Sequence, residues 1–308
     1  MTRVSFGEKC KRARPSPLFQ IALLMSIPVA AQDFSDVRVE TLARDLHYAE
    51  GPVWSLDGFL LFSDTVTGQI KKWTPGKGMT AFATHSGGAS GNAFDEQGRL
   101  YTCEFRERRV VRMAKNGKTE ILAARFGGKR LNAPNDVAVR RDGNVYFTDP
   151  AFGNQQDTRE LDFYGVYRIT NKGELEAIAK WQTRPNGVTL SANGRLLYVS
   201  DSDARLIRVF DLDRGGAASN ERVFIDKTEG VPGGLRADEK GDLYVAAKYL
   251  SVYSPRGELL KDIHLSQAPS NLAFGDPDFA TLYVTARNNV YRIRMGVKGA
   301  LQYAPQVP

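Results

Sequence analysis

The chain is poor in the residues that build stapled or thiolate-held proteins. Its 308 residues include only two cysteines and three histidines. Cys10 falls in an N-terminal stretch of leader character, so Cys103 stands alone in the rest of the chain and an internal disulfide is excluded. His47, His85 and His264 are scattered, which argues against a dedicated His/Cys zinc site. Long apolar runs are also scarce. The stretch LFQIALLMSIPVAA, from Leu18 to Ala31, is too short for a comfortable membrane span. It follows Arg3, Lys9, Lys11, Arg12 and Arg14 and ends in small residues. The pattern is that of a secretory signal peptide over residues 1–31, with an uncleaved anchor as its rival. Export to the periplasm or the extracellular space is therefore expected.

A strong charge imbalance is missing as well. The formal net charge of +7 includes five basic residues and one acid of the leader, so the remainder is close to +3. Basicity of that size gives no reason to expect a nucleic-acid partner, or a membrane partner once the leader is removed. Helical periodicity is nearly absent beyond the leader. In its place are short apolar strands separated by turn residues.

What is present is a repeat. Six segments share an apolar strand, a polar turn and a second strand around a bulky anchor: VWSLDGFLLFSD, NAFDEQGRLYTCE, VAVRRDGNVYFTD, VTLSANGRLLYVSD, LRADEKGDLYVAA and LAFGDPDFATLYVTA. The anchors read as Phe62, Tyr101, Tyr146, Tyr198, Tyr244 and Tyr283, about 40–50 residues apart. Each segment is followed by further strand-like sequence, such as QIKKW or NVYRI. Four strands per unit and six units predict an all-β, six-bladed propeller over residues 32–308. Two β-sandwiches would leave the regular spacing unexplained. VRVETLARDL before the first repeat, GALQYAP after the last, or both, are expected to complete a terminal blade and remove an exposed edge.

In a propeller the first strand of each blade lines a central channel. The residue just before each such strand is Glu50, Ser90, Asn135, Asn186, Gly233 or Ser270. These positions converge at one mouth of the channel, where a carboxylate, amide oxygens and hydroxyls suit a hard cation such as Ca²⁺. The same residue types before a strand also make Asx and Ser turns. Residues after the anchors, including Asp64, Glu104, Asp149, Asp201, Lys248 and Arg287, are expected nearby.

The stretches EGPVW, GKRLNAPNDV, GNVYFTDPAFG, PNGVTLS and NLAFG…LYVTA together resemble the gluconolactonase/regucalcin (senescence-marker protein) family. The resemblance runs in order from about Glu50 to Arg292. It implies a six-bladed propeller, one divalent cation at the mouth, and hydrolysis of sugar lactones or related esters. Carried over by position, it implies Glu50, Asn135 and Asn186 as metal ligands. Arg130, Asn132 and Asp136, with Ser90 of the ring, are the candidates for substrate contact. Ca²⁺ is the expected ion, with Zn²⁺ or Mg²⁺ as alternatives.

The family's remaining ligand, an aspartate in a P-D-G motif that also serves as its proposed base, is absent here. The motif reads Pro232-Gly233-Gly234. A lactone hydrolase would then need a substitute base, for which Glu104, Asp149 and Asp201 are the candidates. The alternative is a non-catalytic propeller that binds a sugar acid or another partner at the same mouth. Either way a small-molecule ligand and a monomer or weak dimer are expected.

Overall fold

In the computed structural model the described residues are Met1, Thr2, Phe34 and 37–300. The leader's basic and apolar parts, and the end of GALQYAP, lie outside them. The described chain is an all-β propeller of six four-stranded antiparallel sheets. Blade one runs from its inner strand Ala49–Ser55 through Phe59–Asp64 and Gln69–Thr74 to the outer strand Gly78–Ala83. Blades two to five repeat this order from inner strands Ala89–Phe94, Val137–Val139, Pro185–Leu190 and Leu235–Ala237.

Blade six has three strands from its own repeat: Asn271–Gly275, Thr281–Ala286 and Asn289–Arg294. Its outer strand is Val39–Ala43, from the beginning of the chain, paired with Asn289–Arg294. The expected closure is thus made by the N-terminal segment. It is reinforced by Leu46 N–H donating to Asn288 O at 3.0 Å and Asn288 Nδ2 donating to Leu46 O at 3.0 Å. Without it the Asn289–Arg294 strand would present an open row of backbone donors and acceptors.

The anchors pack between neighbouring blades. Tyr283 of blade six stacks on Trp54 of blade one at 5.4 Å, and Tyr244 of blade five meets Phe274 of blade six edge-on at 5.2 Å. Burial of such rings at each junction holds the circle together without disulfides. One anchor shifts by a residue. Tyr101, Tyr146, Tyr198, Tyr244 and Tyr283 pair with Ala93, Ala138, Thr189, Arg236 and Ala273, whereas the equivalent pair in blade one is Val53 with Leu61. Leu61 and Phe62 are both fully buried, on opposite faces of their strand, so the apolar run alone did not distinguish them.

Candidate functional site

The register places Glu50, Ser90, Asn135, Asn186, Gly233 and Ser270 at the same level, three residues before the strand positions that pair with the anchors. Their main chains are tied from blade to blade. Ser63 Oγ donates to Ser90 O at 2.8 Å, Thr148 Oγ1 to Asn186 O at 2.5 Å, and Ser200 Oγ to Gly233 O at 2.7 Å. These hydroxyls stand two residues beyond the anchor. Blades two and five carry Cys103 and Ala246 there, and a glycine amide takes over: Gly91 N–H donates to Asn135 O at 2.7 Å and Gly234 N–H to Ser270 O at 2.8 Å. Ser270 Oγ closes the circle onto Ala49 O at 2.7 Å. Every junction around the axis is therefore fixed by a hydrogen bond at this level, which holds the side chains of the ring in place.

The ring is less uniform than its alignment suggested. The Ser270 hydroxyl is held by Ala49 O and Thr285, so it serves closure rather than the axis. Asn186 Nδ2 donates to Ser202 Oγ at 3.1 Å, which leaves Oδ1 as the atom available to a cation. Gly233 is not an open corner. A Cβ on it would lie 2.4 Å from Ser270 O, a main-chain atom that cannot swing aside.

One residue further along each strand the set reads Gly51, Gly91, Asp136, Gly187, Gly234 and Asn271. The glycines admit close approach of the neighbouring blade: a Cβ on Gly91 would meet Asp136 Oδ1 at 2.4 Å, and one on Gly234 would meet Asn271 Oδ1 at 2.0 Å. Asp136 and Asn271 are both buried. The Asp136 carboxylate accepts from Val137 N–H at 3.0 Å and Val188 N–H at 3.1 Å, and lies 3.8 Å from Arg236 Nη1. The Asn271 side chain hydrogen-bonds to both Glu50 and Asp136.

Burial, and then the charge of Asp136, push the Glu50 carboxyl up to about 7. Asp136 is raised by burial too, opposed by Arg236 and the amide donors. Positive charge near two neighbouring carboxylates favours the ionised form of both, and Arg236 supplies some of it. Among the described residues no three His, Cys, Asp or Glu side chains form a cluster that could hold a metal ion by themselves. Glu50, Asn135 and Asn186, which the family resemblance implied as ligands, are all oxygen donors and stand at this one level.

The three candidate bases have other partners. Asp149 accepts Asn132 N–H and Ala133 N–H, each at 2.8 Å, one on each oxygen. Asp201 accepts from Thr183 Oγ1 at 2.7 Å, Ala204 N–H at 3.0 Å and the Arg208 guanidinium at 3.0 Å. Glu104 pairs with Arg109 Nε at 2.5 Å. Each acid is tied up at the mouth end of its blade, Glu104 across its hairpin and Asp149 and Asp201 by the segment that enters the inner strand. The carboxylate beside Glu50 is instead Asp136, whose place next to Asn135 made it a candidate for substrate contact.

Of the other candidates, Asn132 is buried and donates to Asp149 O and Phe163 O, both at 3.0 Å. Ser90 is buried in the ring. Arg130 ends the short hairpin strand Lys129–Arg130 and bonds Glu107 O at 3.2 Å. The histidines lie elsewhere: His47 on Asp64, His85 on Thr84, and His264 against Tyr249. Two polar residues of the axis escaped the ring alignment. Asn271 follows Ser270, and Arg236 stands three residues after Gly233. A second level of alignment, where four positions are glycine, carries the signal for Asn271.

Comparison with known proteins agrees with this architecture. Residues 48–288 match the SMP-30/Gluconolactonase/LRE-like region. The chain is 32% identical over 288 residues to a gluconolactonase of Zymomonas mobilis, covering 83% of this chain and 81% of that protein. A solved gluconolactonase of Xanthomonas campestris superposes with a TM-score of 0.79 at 31% identity, covering 85% of this chain and 90% of the other. A calcium-binding regucalcin of Agrobacterium tumefaciens superposes with a TM-score of 0.72 at 17% identity, over 86% and 97% of the two chains, and shares the fold.

Proposed function

This chain belongs to the SMP-30/gluconolactonase/LRE-like family, and from that premise we propose that it is a metal-dependent hydrolase opening a sugar lactone or related cyclic ester at the channel mouth. The observation that carries the reading is the Glu50 carboxylate at the head of blade one, level with Asn135 and Asn186 on the ring of junction bonds and beside the buried Asp136. Glu50, Asn135 and Asn186 would hold the cation. Oxygen donors of this kind favour Ca²⁺, with Zn²⁺ or Mg²⁺ as weaker fits. When bound, such a cation supplies Lewis acidity that polarises a lactone carbonyl and lowers the pKa of water. Arg130 offers a guanidinium to the hydroxyl or carboxylate oxygens of a sugar substrate.

The missing aspartate at Gly233 favours a second reading, a sugar-acid-binding propeller without turnover. The purified chain, assayed on a panel of γ- and δ-lactones with and without Ca²⁺ or Zn²⁺, separates the two. Cation-stimulated turnover supports the hydrolase, and its absence on every lactone contradicts it. The leader-like first thirty-one residues support export, and the proposal includes a periplasmic or extracellular monomer or weak dimer.

A further inference from the structure

We infer that Asp136 and Arg236 together set the strength with which the axial site holds a divalent cation. Asp136 supplies the charge that Gly233 has no side chain to carry, and Arg236 tempers it. This rests on the proposed cation site at the channel mouth.

Ser270 O occupies the place of a Cβ on Gly233, so blade five contributes no carboxylate at that level, and the geometry leaves no room to restore one without moving backbone. Asp136 is the remaining buried acid at the axis. It is fixed by amides of its own blade, through Val137, and of blade four, through Val188, while Asn271 of blade six joins it to Glu50 of blade one. A carboxylate held so firmly in a low-dielectric setting acts on a nearby cation through its field, without needing to coordinate it.

Arg236 comes from blade five, the blade that lacks the aspartate. Its Nη1 bonds Leu235 O at 2.6 Å and faces Asp136 at 3.8 Å. Its side chain is only 18% exposed. Further along the channel it borders a cavity of about 70 Å³ whose walls include Val53, Ala93, Val137 and Ala273. Apolar walls screen charge poorly, so the guanidinium's main electrostatic partners are the two carboxylates. It stabilises them in the absence of a cation and competes with one when it binds.

The test is calorimetric titration of Ca²⁺ alone into the wild-type chain and into the Asp136→Asn, Arg236→Met, Arg236→Lys and Glu50→Gln variants, with thermal melts to confirm folding. Asp136→Asn is expected to weaken Ca²⁺ about ten- to a hundredfold, the range for residues that act on a metal from behind its ligands. Arg236→Met is expected to tighten binding by about threefold or more, and Arg236→Lys, which keeps the charge, to stay near wild type. If Asp136→Asn does not fold, the Met and Lys contrast carries the test, and equal affinities there overturn the proposal. If Glu50→Gln abolishes binding while Asp136→Asn and Arg236→Met match wild type, the pair is overturned and the cation site stands. If the wild-type chain does not bind Ca²⁺, the cation-site reading falls and this proposal with it.

Discussion

Blades one and five meet the axis at the same level with opposite equipment. Blade one places Glu50 there, and blade five places Gly233, whose Cβ position is taken by Ser270 O. Both corners are nevertheless tied to the preceding blade by a main-chain oxygen that accepts a serine hydroxyl, Ala49 O from Ser270 beside Glu50 and Gly233 O from Ser200. The ring geometry is therefore a property of the fold, while the charge at each corner is a local choice. The buried carboxylate beside Glu50 is Asp136, one residue further along its strand and two blades from Gly233.

Metal removal should have the largest effect. Chelation with EGTA is expected to lower lactone turnover at least about a hundredfold, with recovery on adding Ca²⁺. Turnover indifferent to the chelator would separate the chemistry from the Glu50 corner.

Gly233→Asp tests whether the blade-five corner is closed. Overpacking against Ser270 O is expected to cost about 1–3 kcal/mol, visible as a lower Tm. A variant as stable as wild type would mean that the corner accepts a side chain after all.

Ser200→Ala sharpens the claim that the scaffold is set by hydroxyls. It leaves Gly233 O and Gly187 N–H without their partner, and about 1–2 kcal/mol of stability should be lost. No change in denaturant midpoint would contradict the ring of junction bonds.

Asp149 should have the smallest influence on the site. Burial raises its folded carboxyl from 3.8 to about 7, so the folded chain holds that proton more tightly than the unfolded chain. Its contribution to stability is thus fullest below about pH 4 and is lost as pH rises through 7. Asp149→Asn should flatten that part of the stability profile while changing Ca²⁺ affinity by less than about twofold, since it sits behind the Asn132 turn. An unchanged profile would show that Asp149 is not the buried group described.

Much of this was legible before the fold was seen. The tyrosines and their spacing disclosed six blades because each must fill the same gap between neighbouring sheets. The heads of the inner strands followed from the repeat, and Val37 to Leu46 was one of the two segments expected to close the ring. What remained hidden depends on where hydrogen bonds go. Glu104, Asp149 and Asp201 follow their anchors as a mouth residue would, yet their oxygens are taken by backbone amides, hydroxyls or arginines. Ser270 looks like a ligand hydroxyl and serves blade closure instead. Arg236 could not be foreseen at the axis, because it occupies an ordinary strand position held elsewhere by Val53, Ala93, Ala138, Thr189 and Ala273.

The central claim is that one oxygen-lined cation site sits at the axis and depends on Glu50. Titrating Ca²⁺ into the wild-type chain and Glu50→Gln measures it directly. One site per chain is expected in the wild type and no measurable binding in the variant. Equal stoichiometry and affinity in the two would contradict it.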